Sequence, residues 1–172
     1  MTSSFHRNKE WIIGTVSTGF FFILLGIMFV ITPNLFNRIL DFFRDYFTTE
    51  GKLHLVQVFP DLRFFVLPSP ARPAAHLEVY SAVMLFSLVW GVFKILVLAS
   101  RLALGSSLSK KADNASDIVF WLGTAYFVKT MLVDAQATTA IWFEFWAIVI
   151  MLLGASLLVR AALLATIPLK SR

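Results

Sequence analysis

The stretch LEVYSAVMLFSLVWGVFKILVLASRLAL, residues 77–104, decides the fold. It is 28 residues long and carries three charges, Glu78, Lys94 and Arg101. A helix needs about 20 mostly apolar residues to cross roughly 30 Å of hydrocarbon, so this run predicts a transmembrane helix. Three more runs have the same character, at about 11–32, 118–133 and 141–167. The third is the shortest, and Asp113, Asn114 or Ser116 offers an N-cap that would start it earlier.

The whole composition agrees with that reading. Of 172 residues, 58% are hydrophobic and only 15% charged, against roughly 25% charged in a soluble domain; the mean hydropathy is +0.78. A soluble domain of 19.4 kDa could not hide so much apolar surface. The absence of Cys excludes a disulfide scaffold. The expected class is an all-α polytopic membrane protein, one membrane domain over 1–172, with four spans, an interfacial amphipathic helix and a proline-rich outer loop.

The first span follows a basic start at Arg7 and Lys9, but it is too long for a signal-peptide core and no small-x-small cleavage site follows it. It reads as a retained anchor. Four spans place both termini on one side, with about seven basic residues there (Arg7, Lys9, Arg101, Lys110, Lys111, Lys170, Arg172). About five lie on the other (Arg38, Arg44, Lys52, Arg63, Arg72). The positive-inside rule then puts both termini in the cytoplasm of a cell-membrane protein. The formal charge of +5 implies attraction to lipid headgroups rather than to nucleic acid, because no basic patch with interleaved stacking aromatics is present.

Residues 33–76 form the long outer loop. Leu35, Ile39, Phe42, Phe43 and Tyr46 recur at three- and four-residue spacing within 34–47, which predicts an amphipathic helix in the interface plane or against a partner subunit. Asn34 is its expected cap, and Arg38 should pair with Asp41 or Asp45. Beyond Gly51, Leu53, Leu55 and Gln57 hint at an extended stretch. Pro60, Pro68, Pro70 and Pro73 forbid a regular helix, so this part should fold back as a cap over the bundle.

Small residues mark helix contacts in lipid. Thr15, Gly19 and Gly26 share a stripe on the first span. Ser116, Gly123 and Thr130 recur every seven residues on the third, as do Ala147, Gly154 and Ala161 on the fourth. With Gly91 on the second span, these predict a compact left-handed four-helix bundle. Trp11, Trp142 and Trp146 fall near span ends, as an aromatic belt requires.

Ionisable residues inside a span are functional candidates. Tyr80, Ser87, Lys94 and Arg101 fall at seven-residue spacing and form one polar stripe, either a path for a polar solute or a snorkelling Lys94. Lys129 and Glu144 stand equally far from a turn near Ala137, so an interhelical ion pair is expected there, with Asp134 as a rival partner and Glu78 as a possible fourth member. No nucleophile with a base, no paired carboxylates and no cofactor motif stand out. The histidines offer only a weak metal set, His54 with His76 and Glu78, without helical ligand spacing. The expectation is no enzyme, no cofactor and no metal.

The run 88–98, LVWGVFKILVL, with a Gly three residues before a Lys in an apolar helix, resembles the second span of uncharacterised small four-helix membrane proteins of archaea and bacteria. The resemblance extends to the order of span, interfacial helix, proline-rich loop and three spans. It implies the fold and no particular activity. The expected function is a non-catalytic subunit that packs on or scaffolds a larger membrane complex, its partners being the lipid bilayer and other membrane subunits or further copies of itself. The alternative is a small oligomeric channel or transporter using the stripe.

Overall fold

The computed structural model describes residues 2–47, 51–57 and 66–166. Helix α1 (Thr2–Ile31) leads to a short α2 (Leu35–Arg44). Strands β1 (Leu55–Gln57) and β2 (Val66–Pro68) form an antiparallel pair, Leu55 opposite Pro68. A 3₁₀ turn (Pro73–His76) opens α3 (Leu77–Ala103). Helix α4 (Leu108–Phe127) continues into a π segment (Val128–Val133), and α5 (Thr139–Ala165) closes the described chain. Among the described residues, four helical stretches are long and apolar enough to cross a membrane: Glu10–Ile31, Pro73–Ala103, Leu108–Val133 and Thr139–Ala165. The chain is a multi-pass helical membrane protein.

Local chemistry explains the boundaries. Pro33 and a left-handed Asn34 (φ 56°) turn the chain from α1 into α2. The Asn34 side chain caps nothing; its carbonyl accepts from Arg38 N at 3.0 Å, so the capping expectation fails at the side chain. Gly105 (φ 66°) ends α3: Ser106 N donates to Arg101 O and Gly105 N to Leu102 O, the Schellman arrangement that needs a left-handed residue. The third span begins earlier than expected, at Leu108 after Ser107, so Asp113, Asn114 and Ser116 lie inside the helix rather than at its cap. Thr138 caps α5, its hydroxyl accepting from Ile141 N.

The helices pack in series, α1 on α3, α3 extensively on α4, α4 on α5, with α2 laid on α3. Only 11% of the α1 span and 6% of the α5 span are buried, against 28% and 22% for the two between. The helices form a bundle whose two outer members, α1 and α5, keep bare flanks. The glycines show why. A Cβ on Gly91 would stand 2.5 Å from the Leu122 side chain, and one on Gly123 2.6 Å from Leu152, so these two permit the α3–α4 and α4–α5 approaches. Gly19, Gly26 and Gly154 have nothing within 4 Å of that position; their small faces point away from the chain's own contacts.

Two clusters form the core. Leu24, Met28, Leu35, Ala82 and Trp90 join α1, α2 and α3, with Phe20 stacked on Phe93 at 4.0 Å. Tyr80, Val128, Leu132, Trp142 and Phe145 join α3, the π segment and α5, with Phe42 and Tyr46 of the loop region against them. Trp142, expected in the aromatic belt, is 4% exposed in that core, while Trp11 is 71% exposed.

Candidate functional site

Helix α2 has three faces at 100° per residue. Leu35, Ile39 and Phe42 turn inward and, with Tyr46 just past the helix end, complete the core. Phe36, Leu40 and Phe43 form a second apolar row that stays exposed, and Phe47, past the helix in a bridge to Leu53, is exposed beside it. Phe43, expected on the first face, belongs to the second. The remaining sector carries Arg38, Asp41, Arg44 and Asp45.

That sector builds a polar cleft. Asp45 is buried, and its carboxylate accepts from Arg72 N at 2.7 Å, from Arg72 Nε at 3.4 Å and from His76 Nε2 at 3.0 Å. Burial by itself would raise this carboxyl; the Arg72 backbone N–H, His76 and the Arg72 guanidinium outweigh it and hold Asp45 below its ordinary value. Ala71 N donates to Asp45 O, so one residue ties the end of α2 to the start of α3. Burial pushes the neighbouring Tyr46 hydroxyl up to about 12. Around Asp45, Arg38 pairs with Glu78 at 3.1 Å and Arg44 with Asp41 at 3.3 Å. These groups line an opening of about 460 Å³. A second, largely apolar groove of about 300 Å³ runs between Ile31–Pro33 and the first turns of α3, and Glu78 lines both.

At the other end of the helices, near the termini, three ion pairs among the described residues link neighbouring helices. Arg101 Nε of α3 faces Glu10 of α1 at 3.9 Å. Lys94 Nζ of α3 donates to Asp117 of α4 at 2.8 Å and lies 5.1 Å from the Trp90 ring centre. Arg160 of α5 meets Asp113 of α4 at 2.6 Å. Asn114 adds a bond to Lys94 O at 2.6 Å, and Arg101 donates to Lys110 O at 2.7 Å. Each pair of neighbouring helices therefore holds one charged contact. The hydrogen bonds among these contacts contribute about 0.6–2 kcal/mol each in a membrane; the 3.9 Å Arg101–Glu10 contact is an ion pair without one.

Of the polar stripe, Lys94 and Arg101 are engaged across helix boundaries, and Tyr80 lies in the aromatic core. Ser87 is 1% exposed with no partner for its hydroxyl. Thr124 on α4 is likewise buried and unpaired among the described residues. Lys129 and Glu144 are both exposed, and no ion pair joins them to each other, to Asp134 or to Glu78. Their depths match, but Lys129 sits in the π segment, whose wider turn shifts the side-chain register away from the α-helical phase. Arg38 pairs with Glu78 rather than with Asp41 or Asp45. His54 Nδ1 is bonded to Ser69 O at 3.1 Å while His76 faces Asp45, so the suggested metal set does not assemble. Pro60 and Arg63 of the loop, the end of the fourth span at Ile167, and Lys170 and Arg172 lie outside the described residues.

Sequence reading missed Asp117, Arg160 and Glu10, and gave Asp113 and Asp45 other roles than the ones they hold. A signal existed for three of them. Lys94 and Asp117 are each eleven residues from the turn at Gly105–Ser106, and Asp113 and Arg160 are each 23 from Gln136–Ala137. The depth matching applied to Lys129 and Glu144 would have found both pairs.

Fold and site together define a helical multi-pass membrane protein whose internal charges cross-link its helices in series. No family model, no curated protein and no solved structure matches the chain.

Proposed function

We propose that this chain is a non-catalytic integral membrane subunit that packs on or scaffolds a larger membrane complex. The observation that carries the reading is the bareness of its flanks: α1 and α5 are almost unburied, and Gly19, Gly26 and Gly154 offer close approach on those flanks. The charges between the helices are spent on cohesion, which supports a structural part for them. In this reading α2 lies in the interface plane with Phe36, Leu40, Phe43 and Phe47 toward lipid, the proline-rich loop caps the outer end, and both termini face the cytoplasm. Purification in mild detergent by a tag at the C-terminus, with mass spectrometry of the eluate, tests the role. Stoichiometric foreign subunits are expected; a single species at a multiple of 19.4 kDa refutes it. Single-cysteine labelling tests the orientation. Ala71 is exposed, so Ala71→Cys should react with an impermeant reagent only from outside the cell.

A second reading, a small oligomeric channel or transporter, draws on the unpaired buried hydroxyls of Ser87 and Thr124. It requires that Lys94→Leu change solute flux in proteoliposomes, and an unchanged flux removes it.

A further inference from the structure

We propose that the loop end binds one phospholipid with a primary-amine headgroup, its phosphate and ammonium held in the arginine–carboxylate cleft and an acyl chain laid in the groove between α1 and α3. Two cavities of opposite character meet at Glu78: the polar cleft beneath α2 and the apolar groove against Ile31, Ala82 and Leu85. That junction has the form of an amphiphile. Glu78 stands on the first turn of α3 and Leu85 two turns further in, so the groove descends about 12 Å from Leu77 along the helix axis. The cleft therefore opens where headgroups lie and the groove where chains lie.

The charge pattern selects the headgroup. The arginines of the cleft are matched by carboxylates: Arg38 with Glu78, Arg44 with Asp41, Arg72 with Asp45. A purely anionic ligand would take an arginine and leave its carboxylate uncompensated. A zwitterion exchanges partners without that loss, its phosphate accepting from guanidinium and its ammonium donating to the freed carboxylate. Arg38–Glu78 and Arg44–Asp41 are exposed pairs, about half or more of each side chain being open, and such pairs resist exchange little. Asp45 stays fixed by Arg72 and His76 and holds the cleft in shape. A primary ammonium brings three N–H donors to the carboxylates; a trimethylated one brings none.

The test uses the full chain, delipidated in mild detergent and offered an equimolar mixture of phosphatidylethanolamine, phosphatidylcholine and phosphatidylglycerol, with native mass spectrometry of the retained lipid. One phosphatidylethanolamine per chain is expected, preferred about tenfold over each competitor, the scale of one charge-assisted hydrogen bond. Arg38→Ala with Arg44→Ala, both on exposed side chains, should reduce that preference to the phosphatidylcholine level. Ser81→Phe, or Thr32→Phe should the first variant misfold, should abolish retention of every lipid by filling the groove. Equal retention of the three lipids, or a preference for phosphatidylglycerol, overturns the proposal. So does a double arginine variant that keeps the wild-type preference, or a filled groove that still retains lipid.

Discussion

Removing Asp117 should destabilise the protein more than removing Lys94, and removing both should restore most of the loss. The structure supplies the reason. Lys94 Nζ is 2.8 Å from Asp117, and the side chains are 17% and 46% exposed. In an effective dielectric of about 20, the Coulomb attraction at that distance is about 6 kcal/mol before desolvation is subtracted. Stranding one partner of a fully buried pair costs about 3–5 kcal/mol, and the half-open Asp117 reduces that figure. Asp117→Leu leaves Lys94 enclosed beside Trp90, with only the ring as a weak substitute; a cost of about 2 kcal/mol follows. Lys94→Leu leaves a carboxylate that already reaches outward, for about 1 kcal/mol. The double variant replaces the pair by apolar contact and should lie within about 1 kcal/mol of wild type, a coupling of about 2 kcal/mol. Asn114 keeps its bond to the Lys94 carbonyl throughout, so the cycle isolates the charges. Unfolding in mixed micelles with rising dodecyl sulfate, followed by tryptophan fluorescence, measures all four proteins. Single-variant losses that add to within about 0.5 kcal/mol in the double variant would refute the clasp.

Other outcomes follow from the same geometry. Gly91→Ala should lose about 1–3 kcal/mol in that assay because its Cβ meets Leu122 side-chain and backbone atoms. Gly19→Ala meets nothing and should be neutral or stabilising by about 0.5–1 kcal/mol; a larger loss there would indicate a contact with another chain. Lys129→Ala and Glu144→Ala should each change stability by less than about 0.5 kcal/mol, since both side chains are exposed. Asp45 is held below its ordinary value, so the folded chain binds that proton less tightly than the unfolded one. Its contribution is present above about pH 4 and is lost as pH falls through the folded value. Asp45→Asn should remove that acid-side slope, measured as melting temperature against pH, and an unchanged slope would contradict the assignment. Tyr46, raised to about 12, acts oppositely: its contribution is intact below about pH 10 and is lost as pH rises toward 12.

Much of this architecture is legible along the chain because lipid imposes length and polarity on every span. The four apolar runs, the inward row of α2, the extended stretch at Leu55 and Gln57 and the glycines at Gly91 and Gly123 all follow from periodicity and size. The charged contacts needed one more quantity. Depth along an antiparallel hairpin can be counted from the turn, and it matches for Lys94 with Asp117 as well as for Lys129 with Glu144. Direction around the helix cannot be counted through a π segment, and there the two cases part.

Composition and spacing by themselves determined that this is a helical membrane protein of four spans, with a polar stripe on the third helix and a folded loop before it. Only the tertiary structure decided that α1 and α5 are the bare outer members of the bundle, that the stripe ends on acids of neighbouring helices, and that Asp45 knots the loop to α3. The physical reason is that hydrophobicity is a property of each residue and is written locally. A buried charge is tolerated only by the partner that another helix brings to it, and that partner is set by packing.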